Sequence, residues 1–250
     1  MNSKTPGGAA LTSTIDGRAA RWSGQRDKRR SEFIEAALQA ITDYGPQAST
    51  EQVADHLGVT RTKLYRFFDS AADLHRSIAR RASDMLIAKQ TPAWKTTVSP
   101  MRMITKTVSV HLRWRIENPN LYEYLSRHSV SDDAHGVAAI HDVNNTVAAN
   151  LSVANAAILR TFGLDERPAV PLAFGTVGFV ESATTRWLND PTPAPLPEFT
   201  VQLSEWLWAL WDSTLQSGGI HVDPHQPIGL QQPVATSVEP TPRLSTNDNL

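Results

Sequence analysis

Residues 49–68, STEQVADHLGVTRTKLYRFF, leave the chain few ways to fold. Ser49 followed by Gln52 is a capping box, so a helix opens there and carries Val53, Ala54 and Leu57. Gly58 can supply the positive φ of a tight turn, and Thr60 can cap a second short helix. That second helix carries opposed demands. Leu64, Phe67 and Phe68 want burial, while Arg61, Lys63 and Arg66 want water or an anion. Two short helices joined by a glycine turn, the second with cations at its start, describe a helix-turn-helix. Leu64 and Phe68 then fix the second helix to a core, and Arg61, Thr62, Lys63 and Arg66 project away from it. Free N–H groups at a helix N-terminus favour phosphate, and Arg and Lys there can reach guanine O6 and N7 in the major groove.

The surrounding chain is periodic at 3.6 residues almost throughout, and strand signals are nearly absent, so the expected fold class is all-α. Ile34, Ala37, Leu38 and Ile41 line one face of a first helix that ends at Tyr44-Gly45-Pro46. Ser70 with Asp73 opens a fourth helix bearing Leu74 and Ile78. Further helices are expected over 99–117, 119–129, 134–162, 168–190 and 198–217, punctuated by Asn118-Pro119 and by the proline-rich NDPTPAPLP. Residues 1–26, rich in Gly, Ala, Ser and Thr, read as a flexible basic arm, and 218–250, dense in Pro, Gln, Ser and Thr, as a disordered tail. Between them, 27–90 forms a helix-turn-helix domain with its connecting fourth helix, and 95–217 a larger helical domain.

Composition narrows the chemistry. Cysteine is absent and the formal net charge is −1. Disulfides, thiolate metal sites and cysteine nucleophiles are thereby excluded. MNSKTPGGAALTSTIDGRAAR has no sustained apolar run of the kind that opens a secreted chain. AVPLAFGTVGFV (169–180) is too short for a bilayer, which needs about 20 residues. The expectation is a cytoplasmic protein with no membrane partner. Lys and Arg outnumber Asp and Glu over residues 1–90, and the remainder is acidic.

STEQVADHLGVTRTKLYRFFDSAADL (49–74) resembles the DNA-binding signature of the TetR family of transcriptional regulators. The likeness lies in the Val-Ala of the second helix, the Gly-Val turn, the Leu-Tyr-x-Phe-Phe core and the Ser-x-x-Asp-Leu entry to the fourth helix. The resemblance implies an N-terminal DNA-binding domain followed by a helical ligand-binding and dimerisation domain. By the same resemblance, Arg61, Thr62, Lys63 and Arg66 fall where the family reads bases. Ser49, Thr50, Thr60 and Tyr65 fall where it touches backbone phosphates. Ala71, Phe67 and Thr62 depart from the family's usual residues. Arg18, Arg21, Arg26, Lys28, Arg29 and Arg30 place cations beside the first helix; Arg29 and Arg30 are expected on the DNA backbone, the other reading of the arm being a solvated lead-in.

Beyond the signature, polar residues interrupt otherwise apolar stripes. Ile104, Val108, His111 and Arg115 lie near one face of the helix over 99–117; Asn144 and nearby His141 break the stripe of the helix over 134–162; Tyr122 follows the proline break. A buried polar group without a partner costs about 1–3 kcal/mol. Together these residues suggest a largely apolar pocket with a few polar handles. In LSEWLWALWDSTL, Trp206, Trp208 and Trp211 cover more than one apolar stripe, and Gly175, Gly178 and Phe179 permit close approach along the preceding helix. A homodimer interface is expected there. HVDPH (221–225) has metal-ligand residue types without a supporting shell, and no nucleophile-elbow, P-loop or zinc-protease motif occurs. Neither a metal, a cofactor nor an enzyme is expected. The expected function is a repressor released from a pseudo-palindromic operator by a small, largely apolar effector. The alternatives are an activator of the same fold, or an all-α ligand-binding protein or enzyme whose DNA-binding part is vestigial.

Overall fold

The structure, a computed structural model, describes residues 12–94, 97–128, 139–227 and 234–235. Helices dominate: α1 (Thr12–Tyr44), α2 (Thr50–His56), α3 (Arg61–Leu64), α4 (Ala71–Gln90), α5 (Pro100–Glu117), α6 (Pro119–Arg127), α7 (Ala139–Thr161), α8 (Ala169–Leu188) and α9 (Leu196–Ser217). The fold is all-α save for a minimal antiparallel ribbon. In it β1 (Ile220–His221) pairs with β2 (Val234–Ala235), Ile220 opposite Ala235. The described residues within 1–85 and 115–143 cluster as one unit, and those within 86–114 and 144–250 as another.

In the first unit the local signals act as read. Gln52 N donates to Ser49 Oγ at 3.2 Å, and Ser49 N donates to Gln52 Oε1 at 2.8 Å, which completes the capping box. Gly58 has φ +62°, a conformation that would strain a side chain, and Lys63 N donates to Thr60 Oγ1 at 3.3 Å. Phe33, Ile41, Val53, Leu64, Phe68, Leu74 and Ile78 are buried together with Tyr124 and Leu125 of α6. A buried Leu or Phe contributes about 1.5–3 kcal/mol relative to exposure. These anchors therefore outweigh the weak intrinsic stability of a helix as short as α3.

The second unit has its own core. Val108 and Leu112 of α5 pack with Phe199, Leu203 and Leu207 of α9, and Val180 and Trp187 of α8 close over them. Trp187 stacks on Phe199 with centroids 4.9 Å apart and donates its indole N–H to Ala194 O at 2.8 Å.

Three expectations about organisation are corrected. Residues 12–26, expected as a flexible arm, belong to α1; Ala, Arg, Gln and Lys favour a helix, and no proline intervenes to stop it. Residues 1–11 lie outside the described residues. Residues 115–128, assigned to the larger domain, fall in the first unit because α6 buries Leu121, Tyr124 and Leu125 there. Finally, residues 218–227 are not disordered. Ile220 and Val222 are buried with Leu215 against Phe162, Leu164, Trp208 and Trp211, and Met101 N donates to Pro224 O at 2.9 Å. That last bond satisfies one of the free N–H groups at the start of α5. Residues 228–233 and 236–250 lie outside the described residues.

Candidate nucleic-acid interface and effector cavity

Leu64 is 0 % exposed and Phe68 1 %, so α3 is pinned from beneath, while Arg61, Thr62, Lys63 and Arg66 all stand exposed. The anchors hold the backbone, and the long cationic side chains reach into solvent. Arg61 lies 3.6 Å from Glu51, an exposed pair that contributes little. Ser49 and Thr60, as caps, sit at the starts of α2 and α3, with Thr50 the first residue of α2. Tyr65 is half-buried, and the Arg61 guanidinium lies 5.6 Å from its ring centroid.

Of the arginines expected on the DNA backbone, Arg30 is otherwise engaged. Its guanidinium donates to Phe67 O at 2.7 Å, Asp73 Oδ1 at 2.6 Å and Ser77 Oγ at 2.8 Å, and lies over the Phe68 ring. It clamps the turn after α3 to α4. The Asp73 carboxyl is held below its usual range; burial opposes this, but the Arg30 hydrogen bond, the Asp69 N–H and the nearby Arg76 prevail. Arg29 stays exposed and bonds Glu32 at 2.6 Å.

Beside α3 lies a groove of about 410 Å³ walled by Ser49, Thr50, Arg61, Tyr65 and Ala71, with Arg127 and His128 from the end of α6. On the same groove His75 and His128 meet at a tilt with ring centroids 3.9 Å apart, and Tyr124 meets His75 edge-on. Burial, then the neighbouring imidazole, pushes His75 from 6.5 down to about 4. His128 is lowered by burial and by Arg127, and burial raises the Tyr124 phenol.

The second unit contains a partly open cavity of about 470 Å³. Its walls are mostly apolar, among them Leu86, Ile104, Val108, Leu151, Ile158, Phe162, Val177, Leu207 and Val222. Polar groups interrupt them at Gln90, Thr107, His111, Asn144, Asn155, Thr176 and Glu181. Several are tied to the protein. Thr107 Oγ1 accepts from Trp94 Nε1 at 3.0 Å, Asn155 donates to Ala169 O at 3.3 Å, and Thr185 donates to Glu181 Oε1 at 3.2 Å. Thr176 Oγ1 is buried without a hydrogen-bond partner.

Of the residues expected in a pocket, Ile104, Val108, His111 and Asn144 line this cavity. Arg115 and Tyr122 do not. They belong to the first unit, where the buried Arg115 guanidinium lies 3.3 Å from the Tyr122 ring centroid. The shared stripe on α5 misled because the helix passes from one unit into the other between Trp114 and Arg115. The His141 side chain lies outside the described residues. Sequence reasoning missed Thr176 and Glu181, although a lone carboxylate within the apolar run of α8 was a signal. It also missed Val222, hidden in the polar tail.

Gly175, Gly178, Phe179 and Trp206 are exposed, together with Phe174, Val201 and Leu210. Trp208 and Trp211, expected on the same interface, turn instead toward Leu215, Ile220 and Val222 and line the cavity. At 100° per residue, Trp206 and Trp208 cannot share a face. Among the described residues no group of three or more His, Asp or Glu could hold a metal, and no helix is long and apolar enough to cross a membrane.

Residues 33–78 match the family described as bacterial regulatory proteins, tetR family. The chain is similar to an HTH-type transcriptional regulator of Mycobacterium tuberculosis H37Rv, 26 % identical over 213 residues that cover 84 % of this chain and 88 % of that one. It is also similar to the HTH-type transcriptional activator FasR of Mycolicibacterium smegmatis, 25 % identical over 181 residues, 67 % of this chain and 76 % of FasR. Its fold resembles that of FadR from Bacillus subtilis, solved in complex with stearoyl-CoA, with a TM-score of 0.53 and 19 % identity over 71 % of this chain and 96 % of FadR.

Proposed function

Because the chain belongs to the tetR family of bacterial regulatory proteins, we propose that this transcriptional regulator is a cytoplasmic homodimeric repressor released from its operator by a small, largely apolar effector. The observation that carries the reading is the row of exposed Arg61, Thr62, Lys63 and Arg66 on a helix pinned by buried Leu64 and Phe68. Phosphate contacts from Ser49, Thr50, Thr60 and Tyr65 would set register, and the row on α3 would read bases. The exposed apolar face made by Phe174, Phe179, Trp206 and Leu210 supports a dimer, whose twofold symmetry would match a pseudo-palindromic site.

The cavity supports an effector with a long apolar part, since its volume lies within the roughly 300–1,000 Å³ of small-molecule sites. Stearoyl-CoA bound to the Bacillus subtilis FadR makes a long acyl chain the first class to test. Release requires that the effector prefer one conformation; a hundredfold loss of DNA affinity needs about 2.7 kcal/mol of differential binding. A second reading, activation by the same switch, is favoured by the named activity of FasR.

The experiment is retention of genomic fragments by the purified chain, followed by release with stearoyl-CoA. Salt-dependent retention of particular fragments supports the DNA reading, and equal retention of all DNA at every salt concentration refutes it. Transcription from a retained promoter, with and without the chain, decides between repressor and activator.

A further inference from the structure

The groove beside α3 contains a cation that the helix-turn-helix does not supply. Arg127, the last residue of α6, shares its wall with Ser49 and Thr50 of the α2 start and Arg61 and Tyr65 of the reading helix. Its guanidinium donates to Glu123, one turn back, at 2.5 and 3.0 Å. Both side chains are about half exposed, at 50 % and 51 %. Such a pair is weak and screened by salt, so a phosphate can compete for the guanidinium. The fork of an Arg suits a phosphate in a bidentate fashion, and Arg61 on the same groove adds a second cation. His128 and His75, packed against each other and Tyr124, also line the groove, as do Thr50 and Tyr65, whose side chains carry hydroxyl donors. The acids beside the two arginines are Glu51 and Glu123, both exposed.

We propose that Arg127 is a DNA-backbone ligand, seating in this groove a phosphate that flanks the bases read by α3. The proposal rests on the DNA-binding reading above. It makes α6 part of the DNA-facing surface, an element remote in sequence from the helix-turn-helix.

The test uses the full chain, fluorescence anisotropy and two labelled duplexes, one a retained genomic fragment and one of scrambled sequence, over a range of salt. Arg127→Ala should weaken both duplexes by the same severalfold factor at low salt and reduce the slope of log affinity against log salt by about 1. Arg127→Lys should keep the slope. Glu123→Gln, which removes the competing acid, should strengthen binding to both duplexes. Thermal melting should be little changed in all three. An Arg127→Ala chain that melts normally and keeps the full salt slope would overturn the proposal and leave the DNA reading standing. If the unaltered chain binds neither duplex in a salt-dependent way, the DNA reading itself falls and takes this proposal with it.

Discussion

Arg30 reaches Asp73 at 2.6 Å across 43 residues of sequence, and the same guanidinium holds Phe67 O and Ser77 Oγ. A cation beside a DNA-binding motif thus serves the fold. Arg30→Met keeps much of the stem packing over Phe68 but leaves Asp73 and the Phe67 carbonyl without their donor. Hydrogen bonds to charged groups contribute about 1.5–3 kcal/mol, so a loss of that size is expected in urea unfolding. The salt slope of DNA binding should stay unchanged. A variant as stable as the unaltered chain, with a lower slope, would return Arg30 to the DNA surface.

His75 makes the first unit sensitive to acid. Its folded-state pKa is lowered from 6.5 to about 4, so the unfolded chain takes up the proton first as pH falls. Stability is complete above about pH 6.5 and declines toward pH 4. The full shift corresponds to about 3 kcal/mol. Asp73, whose folded pKa lies below 3.8, contributes stability that is lost only at still lower pH. Thermal melting of His75→Phe between pH 7 and 4 should show a flattened acid limb. An unchanged limb would assign the loss to other groups.

How much of this could be read in the sequence depended on how local the physics was. The caps at Ser49, Thr60 and Ser70, the glycine turn and the Leu64 and Phe68 anchors act within a few residues, and each was legible. Arg30 was not, because its partners lie some forty residues away and only the folded chain brings them together. Ile220 and Val222 alternate with exposed His221, a strand-like pattern too short to stand out in a polar tail. Their burial depends on Trp208, Trp211 and Leu215. The cavity was half legible: interruptions in the stripes of α5 and α7 were visible, whereas the change of unit within α5 was not.

Trp206 and Trp208 should respond differently to the same substitution. Trp206 is exposed and meets Phe179 edge-on, with centroids 5.9 Å apart, whereas Trp208 packs inward. Trp206→Glu should yield a monomer in sedimentation while the melting temperature of the subunit fold is largely kept. Trp208→Glu should cost about 2–4 kcal/mol by placing a charge in the core. A Trp206→Glu chain that remains dimeric would place the interface elsewhere.

Thr176 Oγ1 is buried at the cavity without a partner. Thr176→Val replaces the hydroxyl by a methyl of similar shape, removing a desolvated polar group. The effector-free chain should gain up to about 1–3 kcal/mol in stability, the cost of an unsatisfied buried hydroxyl. If the effector satisfies that hydroxyl, the same variant should need more ligand to release DNA. Calorimetry and a release titration would check both, and a destabilised Thr176→Val would mean that the hydroxyl already has a partner.

The segment after α9 is part of the second unit's packing, and its removal should be costly. Ile220 and Val222 cover Phe162, Leu164, Trp208 and Trp211, and Pro224 O accepts the first-turn N–H of Met101. Ile220→Ala should cost about 2–4 kcal/mol, the usual range for truncating a buried aliphatic chain. Deleting residues 219–250 should cost more, because Val222 and the Met101 bond go with it. Val222 also lines the cavity, as do Trp208 and Trp211, so the deletion opens that wall to water. Tryptophan emission should shift to the red before any unfolding, and bound ligand should leave faster. A truncated chain with unchanged emission, stability and ligand off-rate would mean that residues 219–227 contribute nothing to the core or the cavity.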